Sequence, residues 1–440
     1  MLSDYRSKIV TPEVAAAKAV RSGDWVDYGF GAGFPELMDK ALAARKGELQ
    51  DVKIRGGLVI RPRIEVVECD PEQTSFSYYS WHIGDYERKL QSRGLCQFIP
   101  MILRFLPELY RKHIRVDVAF VPVSTPDDNG YCGLGISNYA WRTIFENART
   151  VVFEINEHLP TLQGVDGSHR VHLSEADFIV EGEHEPLPLR TYQESSSVDI
   201  TIANHVVKEI PDGAVLSLGV GGVPFTVAKI LAESDLKDLG CHTGTISDAF
   251  MQLYRTGKLT NKRKEVSTGY SVWNLAMGSP EFYDWLREEP GLFRPSDVDY
   301  VHSPERISQM KNVISINGGV ELDLMGQENA ESSGSRQLSG TGGQLDFLEG
   351  AFRSEGGKGF ICLTSARQNK DGTLKSNILP FISGGSVISA PRSLIQYVAT
   401  EYGVAKLSGL SLRERAEQMI AIAHPDFREE LTRYAQETFR

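Results

Sequence analysis

Apolar and polar positions along the chain follow two different periods. Short apolar runs typical of buried strands occur at VDVAFVPV, TVVFEI, ADFIVE, NVISIN and KGFICLT. Other stretches, such as PMILRFLPELYRKH and SLRERAEQMIAIAH, repeat their apolar residues at helical spacing. Strands that alternate with helices are typical of mostly parallel sheets covered by helices. We therefore predict an α/β fold.

A duplicated segment indicates that the chain contains two such sheets. Residues 22–45 read SGDWVDYGFGAGFPELMDKALAAR, and residues 211–234 read PDGAVLSLGVGGVPFTVAKILAES. Each copy has a turn glycine, an apolar strand, a glycine-rich hairpin that ends in proline, and an amphipathic helix. The two copies align with one residue of slippage in the hairpin. We predict two duplicated domains, each with an open, mostly parallel sheet.

The length agrees with that organisation, because 440 residues exceed what one ordinary core supports. The junction is predicted in the polar segment Glu181–Asp199, where two prolines and three serines interrupt the periodic patterns. The predicted domains are therefore residues 1–190 and 191–440, with the ligand site carried by the second. A glycine- and serine-rich passage that starts at Gly326 is interpreted as a functional loop of that domain.

The net charge and the cysteines indicate which binding partners and which cellular compartment to expect. The formal net charge of -11 argues against nucleic acid or an anionic membrane surface as a partner. Five scattered cysteines without a CxxC pair favour reduced thiols over disulfides or a zinc site. The first residues lack an apolar signal-peptide core, and no segment has the roughly 20 apolar residues that span a bilayer. We expect a soluble cytoplasmic protein without a bound metal.

The hairpin GVGGVP is the first candidate for a ligand-binding segment. Gly219, Gly221 and Gly222 have no Cβ atom, so the backbone there can turn sharply and present amide N–H groups to a ligand oxygen. A single glycine turn between a strand and a helix is as often structural as functional. The interpretation gains support from a second turn, SGTGGQLDF, and from the string VELDLMGQ that starts at Val320.

These passages together resemble the class I coenzyme A transferases of the 4-hydroxybutyrate and butyrate:acetate type. Further matches are VSTPDDNGYCGLGIS from Val123, NEHLPTLQG from Asn156, SINGGVELDLMGQ from Ser315, SGTGGQLDFLEGA from Ser339, and the carboxy-terminal run from Ser393 to Leu431. They occur in the order found in that family and cover nearly the whole chain. Several separate matches in order are more specific than any single motif.

The resemblance implies an enzyme that transfers coenzyme A between small carboxylic acids, with an acyl-CoA site in the cleft between two domains. It also implies a homodimer or homotetramer. Lys375 or Arg392 is a candidate for contact with pantetheine or phosphate groups, although an isolated lysine is more often solvated. The remaining residues implied for CoA binding are Gly219, Val220, Gly221, Gly222, Val223, Gly319, Gly342, Gly343 and Gln344.

The loop HTGTISD departs from the family it resembles. The family has a nucleophilic glutamate where this chain has Gly244. An experimental substitution is one explanation, and replacement by another acid, such as Glu65, Glu68 or Asp248, is a second. The third is different chemistry on acyl-CoA, hydrolysis or decarboxylation, for which His242 is the candidate acid–base group. Simple acyl-CoA binding without catalysis is the remaining alternative.

Overall fold

The computed structural model describes residues 5–190 and 194–439. The chain divides into two compact units. Unit 1 comprises Met1–Arg190 and Val272–Val301, and unit 2 comprises Thr191–Ser271 and His302–Arg440. The segment Val272–Val301, which the sequence analysis assigned to the second domain, therefore packs in unit 1.

That segment joins unit 1 because its apolar side chains complete a core there. Leu275, Met277 and Val298 are each at most 3% exposed and belong to one cluster with Phe30 and Tyr139. The backbone N–H of Val298 also donates to the carbonyl of Tyr139 at 3.0 Å. Such long-range packing leaves no local signal in the sequence.

Unit 1 is built around a sheet of seven strands in the order β4-β3-β2-β1-β5-β7-β9. Every neighbouring pair in this sheet is parallel. The strands up to residue 190 are β1 Trp25–Phe30, β2 Val52–Gly57, β3 Phe76–Ser80, β4 Gln97–Phe98, β5 Val118–Val123, β6 Tyr131–Gly133, β7 Thr150–Ile155, β8 Arg170–His172 and β9 Phe178–Glu181. The α-helices are α1 Pro12–Ala19, α2 Glu36–Ala43, α3 Glu65–Glu68, α4 Asp85–Ser92, α5 Leu106–Lys112 and α6 Trp141–Asn147.

The next elements along the chain begin unit 2 and then return to unit 1. The first group is α7 Ser197–Val207, β10 Val215–Leu218, α8 Gly222–Glu233, β11 Gly240–Cys241, β12 Thr245–Ile246 and α9 Asp248–Arg255. The returning group is β13 Ser271–Trp273, β14 Leu275–Ala276, α10 Pro280–Glu288, β15 Phe293–Pro295 and α11 Val298–Val301. All five tryptophans of the chain, at 25, 81, 141, 273 and 285, consequently lie in unit 1.

The rest of unit 2 follows residue 301. Its helices are α12 Pro304–Ile307, α13 Gln344–Arg353, α14 Leu412–Ala421 and α15 Pro425–Thr438. Its strands are β16 Val313–Gly318, β17 Glu321–Asp323, β18 Glu328–Asn329, β19 Ser332–Ser333, β20 Arg336–Gln337, β21 Lys358–Cys362, β22 Ala366–Gln368, β23 Leu374–Ser376, β24 Ile378–Leu379, β25 Tyr397–Thr400 and β26 Gly403–Lys406.

The main sheet of unit 2 has six strands in the order β11-β10-β16-β21-β25-β26. Its neighbours pair in parallel, except that β26 runs antiparallel to β25. The predicted α/β fold with mostly parallel sheets is thus confirmed in both units. None of the helices in the described part of the chain combines the length and apolar character needed to cross a bilayer.

The duplicated segment forms the same succession of elements in each unit. In unit 1 the strand β1 leads through the hairpin to α2, which starts directly after Pro35. In unit 2 the strand β10 leads to α8, and Pro224 lies within the first turn of that helix. The second hairpin is therefore tighter, which accounts for the slippage in the alignment of the two copies.

Candidate functional site

Two glycine turns of unit 2 lie at the edge of the sheet where the strand order reverses. From β10 the sheet continues to β11 on one side, and from β16 it continues to β21 on the other. In open α/β sheets, ligands bind outside the carboxyl ends of the strands at such a reversal. The turn Gly219–Val223 follows β10 and Gly319 follows β16. The structure thus brings two of the predicted CoA-binding segments to one edge.

Close backbone packing explains the glycines at these two positions. The N–H of Gly219 donates to the carbonyl of Ile316 at 2.8 Å. A Cβ atom on Gly219 would lie 3.1 Å from that same oxygen, and one on Gly319 would lie 2.8 Å from a methyl carbon of Ile361. Both turns therefore depend on glycine, and larger residues would force the strand ends apart.

Two helices of unit 2 begin without a side-chain cap. The cap residues are Gly221 for α8 and Gly343 for α13, and neither supplies a side-chain oxygen to the first N–H groups. Uncapped N–H groups at a helix N-terminus attract anions and partial negative charge. Val220, which precedes the cap residue, is exposed, and Val223 in the first turn of α8 is buried.

The turn before α13 packs closely against His302, which restricts the residues that it can contain. A Cβ atom on Gly343 would lie 2.2 Å from the ring carbon Cε1 of His302, so only glycine fits there. His302 in turn has its Nδ1 atom 3.3 Å from a carboxylate oxygen of Asp346, in the first turn of the same helix. Gly342 has a φ of 55°, a backbone conformation that favours glycine. Gly342 and Gly343 are thus required by the local geometry.

The loop that contains Gly244 leaves the edge strand β11. The backbone N–H of His242 donates to the carbonyl of Leu216 at 3.1 Å, which extends the pairing with β10. The imidazole of His242 is 1% exposed, and its ring centroid lies 6.2 Å from that of Phe347 on α13. Thr243 is buried and its hydroxyl donates to the carbonyl of Thr245 at 3.2 Å. Gly244 itself is half-buried.

A buried lysine supports the strand from which this loop leaves. The Nζ atom of Lys264 donates to the carbonyls of Cys241 at 2.9 Å and Tyr270 at 2.7 Å. Asn261 accepts a bond from the N–H of Cys241 at 2.8 Å. Burial lowers the pKa of Lys264 to about 8, because the charged form loses its hydration. The sequence gives no sign of this burial, since nothing in the run NKRKE distinguishes Lys264 from its charged neighbours.

Lys264→Met is expected to flatten the pH dependence of stability in alkaline solution. Because the folded pKa of about 8 lies below the unfolded value of 10.5, the unfolded chain binds more protons between these limits. The free energy of unfolding therefore rises with pH across that window, by up to about 3 kcal/mol from this group. Urea unfolding followed by circular dichroism at several pH values measures the slope. The exposed Lys262→Met is the matched control, and an unchanged slope in Lys264→Met would refute the assignment.

A buried carboxyl group, that of Glu328, lies beside Gln344 although nothing in the sequence indicated it. The side-chain amide of Gln344 donates to Oε1 of Glu328 at 2.7 Å. Glu328 is completely buried on the short strand β18. In the sequence it stands in a polar, loop-like passage, where no periodic pattern indicates burial.

The other acids considered from sequence have simpler structural roles. Glu65 accepts a hydrogen bond from Arg63 at 2.7 Å in unit 1. Glu68 accepts from Tyr86 at 2.6 Å and from Arg93, and these contacts lower its pKa. Asp248 is the partly exposed first residue of α9. Ion pairing accounts for Glu65 and Glu68, and a catalytic role for any of these acids stays a prediction.

The two basic candidates lie in different parts of unit 2. Lys375 is half-buried on β23, directly opposite Arg367 in an antiparallel ribbon with β22. The guanidinium of the exposed Arg392 lies 3.0 Å from the sulfur of Met325. Contact of either residue with pantetheine or phosphate stays a prediction. Across residues 5–190 and 194–439, no group of three or more His, Cys, Asp or Glu side chains is arranged to hold a metal.

Comparison with known proteins identifies the family. The model of the acetyl-CoA hydrolase/transferase N-terminal domain matches residues 2–189, and the model of the corresponding C-terminal domain matches residues 278–435. The chain belongs to the acetyl-CoA hydrolase/transferase family. The family resemblance predicted from the motifs is thereby confirmed.

Individual members of the family are similar over nearly their whole length. The chain is 41% identical to a probable butyrate:acetyl-CoA coenzyme A-transferase of Syntrophomonas wolfei, over 99% of this chain and 96% of the relative. It is 36% identical to a 4-hydroxybutyrate coenzyme A transferase of Clostridium kluyveri, with 97% of each covered. The crystal structure of RipA from Yersinia pestis superimposes with a TM-score of 0.89 at 34% identity, covering 99% and 98% of the two chains.

Proposed function

We propose that this chain transfers coenzyme A between small carboxylic acids, and that the acyl-CoA binds at the strand-order reversal of unit 2. The support that carries the proposal is the similarity of 36% and 41% to CoA-transferases over nearly the whole chain. The convergence of Gly219–Val223 and Gly319 at one sheet edge agrees with it, because that edge is where such folds hold their ligands.

The uncapped turns suit the chemistry of a thioester. Attack on a thioester carbonyl moves negative charge onto its oxygen, and backbone N–H groups stabilise that charge without reorganising. The first N–H groups of α8 and α13 are suitable donors, since neither helix has a side-chain cap. Loss of one such donor typically costs about 3 kcal/mol in the transition state. Lys375 is the proposed contact for the distal part of the cofactor.

Gly244 favours a second candidate reaction on the same site. A glycine cannot act as the covalent carrier that the family glutamate provides, so transfer requires a carboxylate from elsewhere in this chain. Hydrolysis or decarboxylation of acyl-CoA needs no covalent carrier and requires only charge stabilisation and an acid–base group. His242 would be that group, because its buried ring lies two residues from Gly244.

The proposed setting of the activity is a cytoplasmic homodimer or homotetramer that acts on small molecules. The net charge of -11 supports the expectation that nucleic acids and anionic membranes are not partners. The five cysteines are all free thiols in the structure, as a reducing compartment requires.

An exchange assay tests the proposed function. The full-length chain is incubated with butyryl-CoA and acetate, and CoA species are separated by chromatography. Acetyl-CoA that forms only when acetate is present supports transfer, and reactions with 4-hydroxybutyrate or succinate then define the acceptor range. Free CoA that forms without an acceptor supports hydrolysis. Carbon dioxide released from malonyl-CoA supports decarboxylation, and binding without turnover contradicts all three reactions.

A further inference from the structure

The backbone around Glu328 holds its side chain in one fixed place. β18 pairs antiparallel with β17, and Leu322 lies opposite Glu328 in that pair. On the other side, the carbonyl of Glu328 accepts hydrogen bonds from the N–H groups of Ser389 and Ala390, and its own N–H donates to the carbonyl of Ala390. Because the backbone of Glu328 is hydrogen-bonded on both sides, the direction in which its side chain leaves the strand is fixed.

The carboxyl group of Glu328 is buried with one oxygen unused. Oε1 accepts the bond from Gln344, whereas Oε2 has no hydrogen-bond partner among the described residues. The pKa of Glu328 is raised to about 8, mainly by desolvation and with a contribution from the charge of Glu331, while the hydrogen bond from Gln344 opposes the rise. A buried polar atom without a partner costs free energy, and such groups are concentrated at functional sites.

Glu328 also touches two of the segments assigned to CoA binding. Its Oε1 atom lies 3.4 Å from the position of a Cβ atom on Gly319, at the end of β16. Its hydrogen bond to Gln344 joins it to the first turn of α13. The carboxyl group therefore belongs to the same sheet edge as the proposed thioester site.

The loop of residue 244 packs on the same turn of α13. Gln344 and Phe347 are three residues apart, so their side chains are neighbours on one helix face. Gln344 contacts Glu328, and Phe347 faces the ring of His242. The carboxyl group of Glu328 and the loop of residue 244 thus contact neighbouring side chains at the start of α13.

We propose that Glu328 supplies the nucleophilic carboxylate that position 244 lacks, an inference that rests on the proposed CoA transfer. The ionised carboxylate attacks the thioester carbonyl; a C–O bond forms, the C–S bond breaks, and CoA thiolate leaves an acyl anhydride on Glu328. The thiolate then attacks the Glu328 carbonyl of this anhydride, releasing the first carboxylate and forming a glutamyl-CoA thioester. An acceptor carboxylate reverses the two steps, which yields the new acyl-CoA and restores Glu328.

Other acids close in sequence are already engaged through both oxygens or a fixed partner. Glu331 accepts from Thr341 through one oxygen and from Gln337 through the other. Glu321 accepts from Asn329 and from Ser383 in the same way. Each of these oxygens already accepts a hydrogen bond, whereas Oε2 of Glu328 accepts none among the described residues.

Trapping of the covalent intermediate tests the proposal. The full-length wild type, Glu328→Gln and Glu328→Asp are mixed with butyryl-CoA, treated with borohydride to reduce a glutamyl thioester, digested, and mapped by mass spectrometry. Glu321→Gln is the matched control, because it neutralises a buried acid of the same segment whose oxygens are both bonded. Circular dichroism and CoA binding confirm that each variant is folded.

The expected result is a reduced residue at 328 in the wild type and in Glu321→Gln, with none in Glu328→Gln. Exchange should fall on the order of 10³-fold in Glu328→Gln, as loss of a nucleophile does, and partly recover in Glu328→Asp. An adduct at another residue, or undiminished exchange in folded Glu328→Gln, overturns this proposal and leaves CoA transfer intact. Absence of exchange in the wild type instead overturns the proposed function.

Discussion

Gly244→Glu is expected to raise the rate of CoA exchange on the order of 10³-fold in the Glu328→Gln background, because it introduces the carboxylate at the position of the family's nucleophile where no other nucleophile is present. Gly244 is not among the described glycines with positive φ, so no left-handed conformation demands glycine at this position. Gly244 is half-buried, between the buried Thr243 and the half-buried Thr245.

Gly244→Gln is the matched control, since it adds nearly the same volume and polarity without a nucleophile. The exchange assay with butyryl-CoA and acetate measures each variant, and borohydride mapping should move the reduced residue to 244. Combination with Glu328→Gln is informative, because a new carboxylate at 244 should restore exchange in that background. A folded Gly244→Glu that binds CoA and shows unchanged exchange would contradict the placement of the nucleophile position.

Arg55→Met is expected to lower the free energy of unfolding of unit 1 by about 3–5 kcal/mol. Arg55 on β2 pairs with Asp27 on β1 through contacts of 2.8 and 3.2 Å, and both side chains are nearly inaccessible. Tyr110 donates a further hydrogen bond to the same carboxylate. Removal of the guanidinium leaves Asp27 buried with its charge uncompensated, which costs far more than the loss of a surface pair.

Arg63→Met is the matched control, because Arg63 is 56% exposed on its side chain and pairs with Glu65 at the surface. Loss of such a pair typically costs less than about 1 kcal/mol. Tryptophan emission during urea unfolding measures both variants, and it reports on unit 1 alone, since all five tryptophans lie there. Equal midpoints for Arg55→Met and the wild type would show that Asp27 finds another partner or becomes hydrated.

Local pattern predicted the larger elements well. The apolar runs VDVAFVPV, TVVFEI and KGFICLT became β5, β7 and β21, because a strand buried on both faces needs continuous apolar residues. The carboxy-terminal amphipathic run became α14. The stretch PMILRFLPELYRKH was less accurate: its α-helix begins only at Leu106, after a short 3-10 turn.

The site was only partly predictable for a physical reason. Glycine turns are recognisable in sequence because their backbone requirements are local, and Gly219, Gly319 and Gly343 lie in close packing as such turns do. Glu328 and Lys264 are buried by contacts with residues distant along the chain, and their charge alone predicts exposure. Tertiary packing overrides that expectation, so sequence periodicity could not have revealed either residue.

The return of residues 272–301 to unit 1 has a consequence for biosynthesis. The ribosome must deliver the chain through Val301 before Leu275, Met277 and Val298 can close the apolar cluster around Phe30. The amino-terminal half of the protein therefore remains incomplete while about eighty further residues, including α8 and β11, emerge from the exit tunnel. A nascent chain of this kind exposes apolar surface for longer than a protein with contiguous domains.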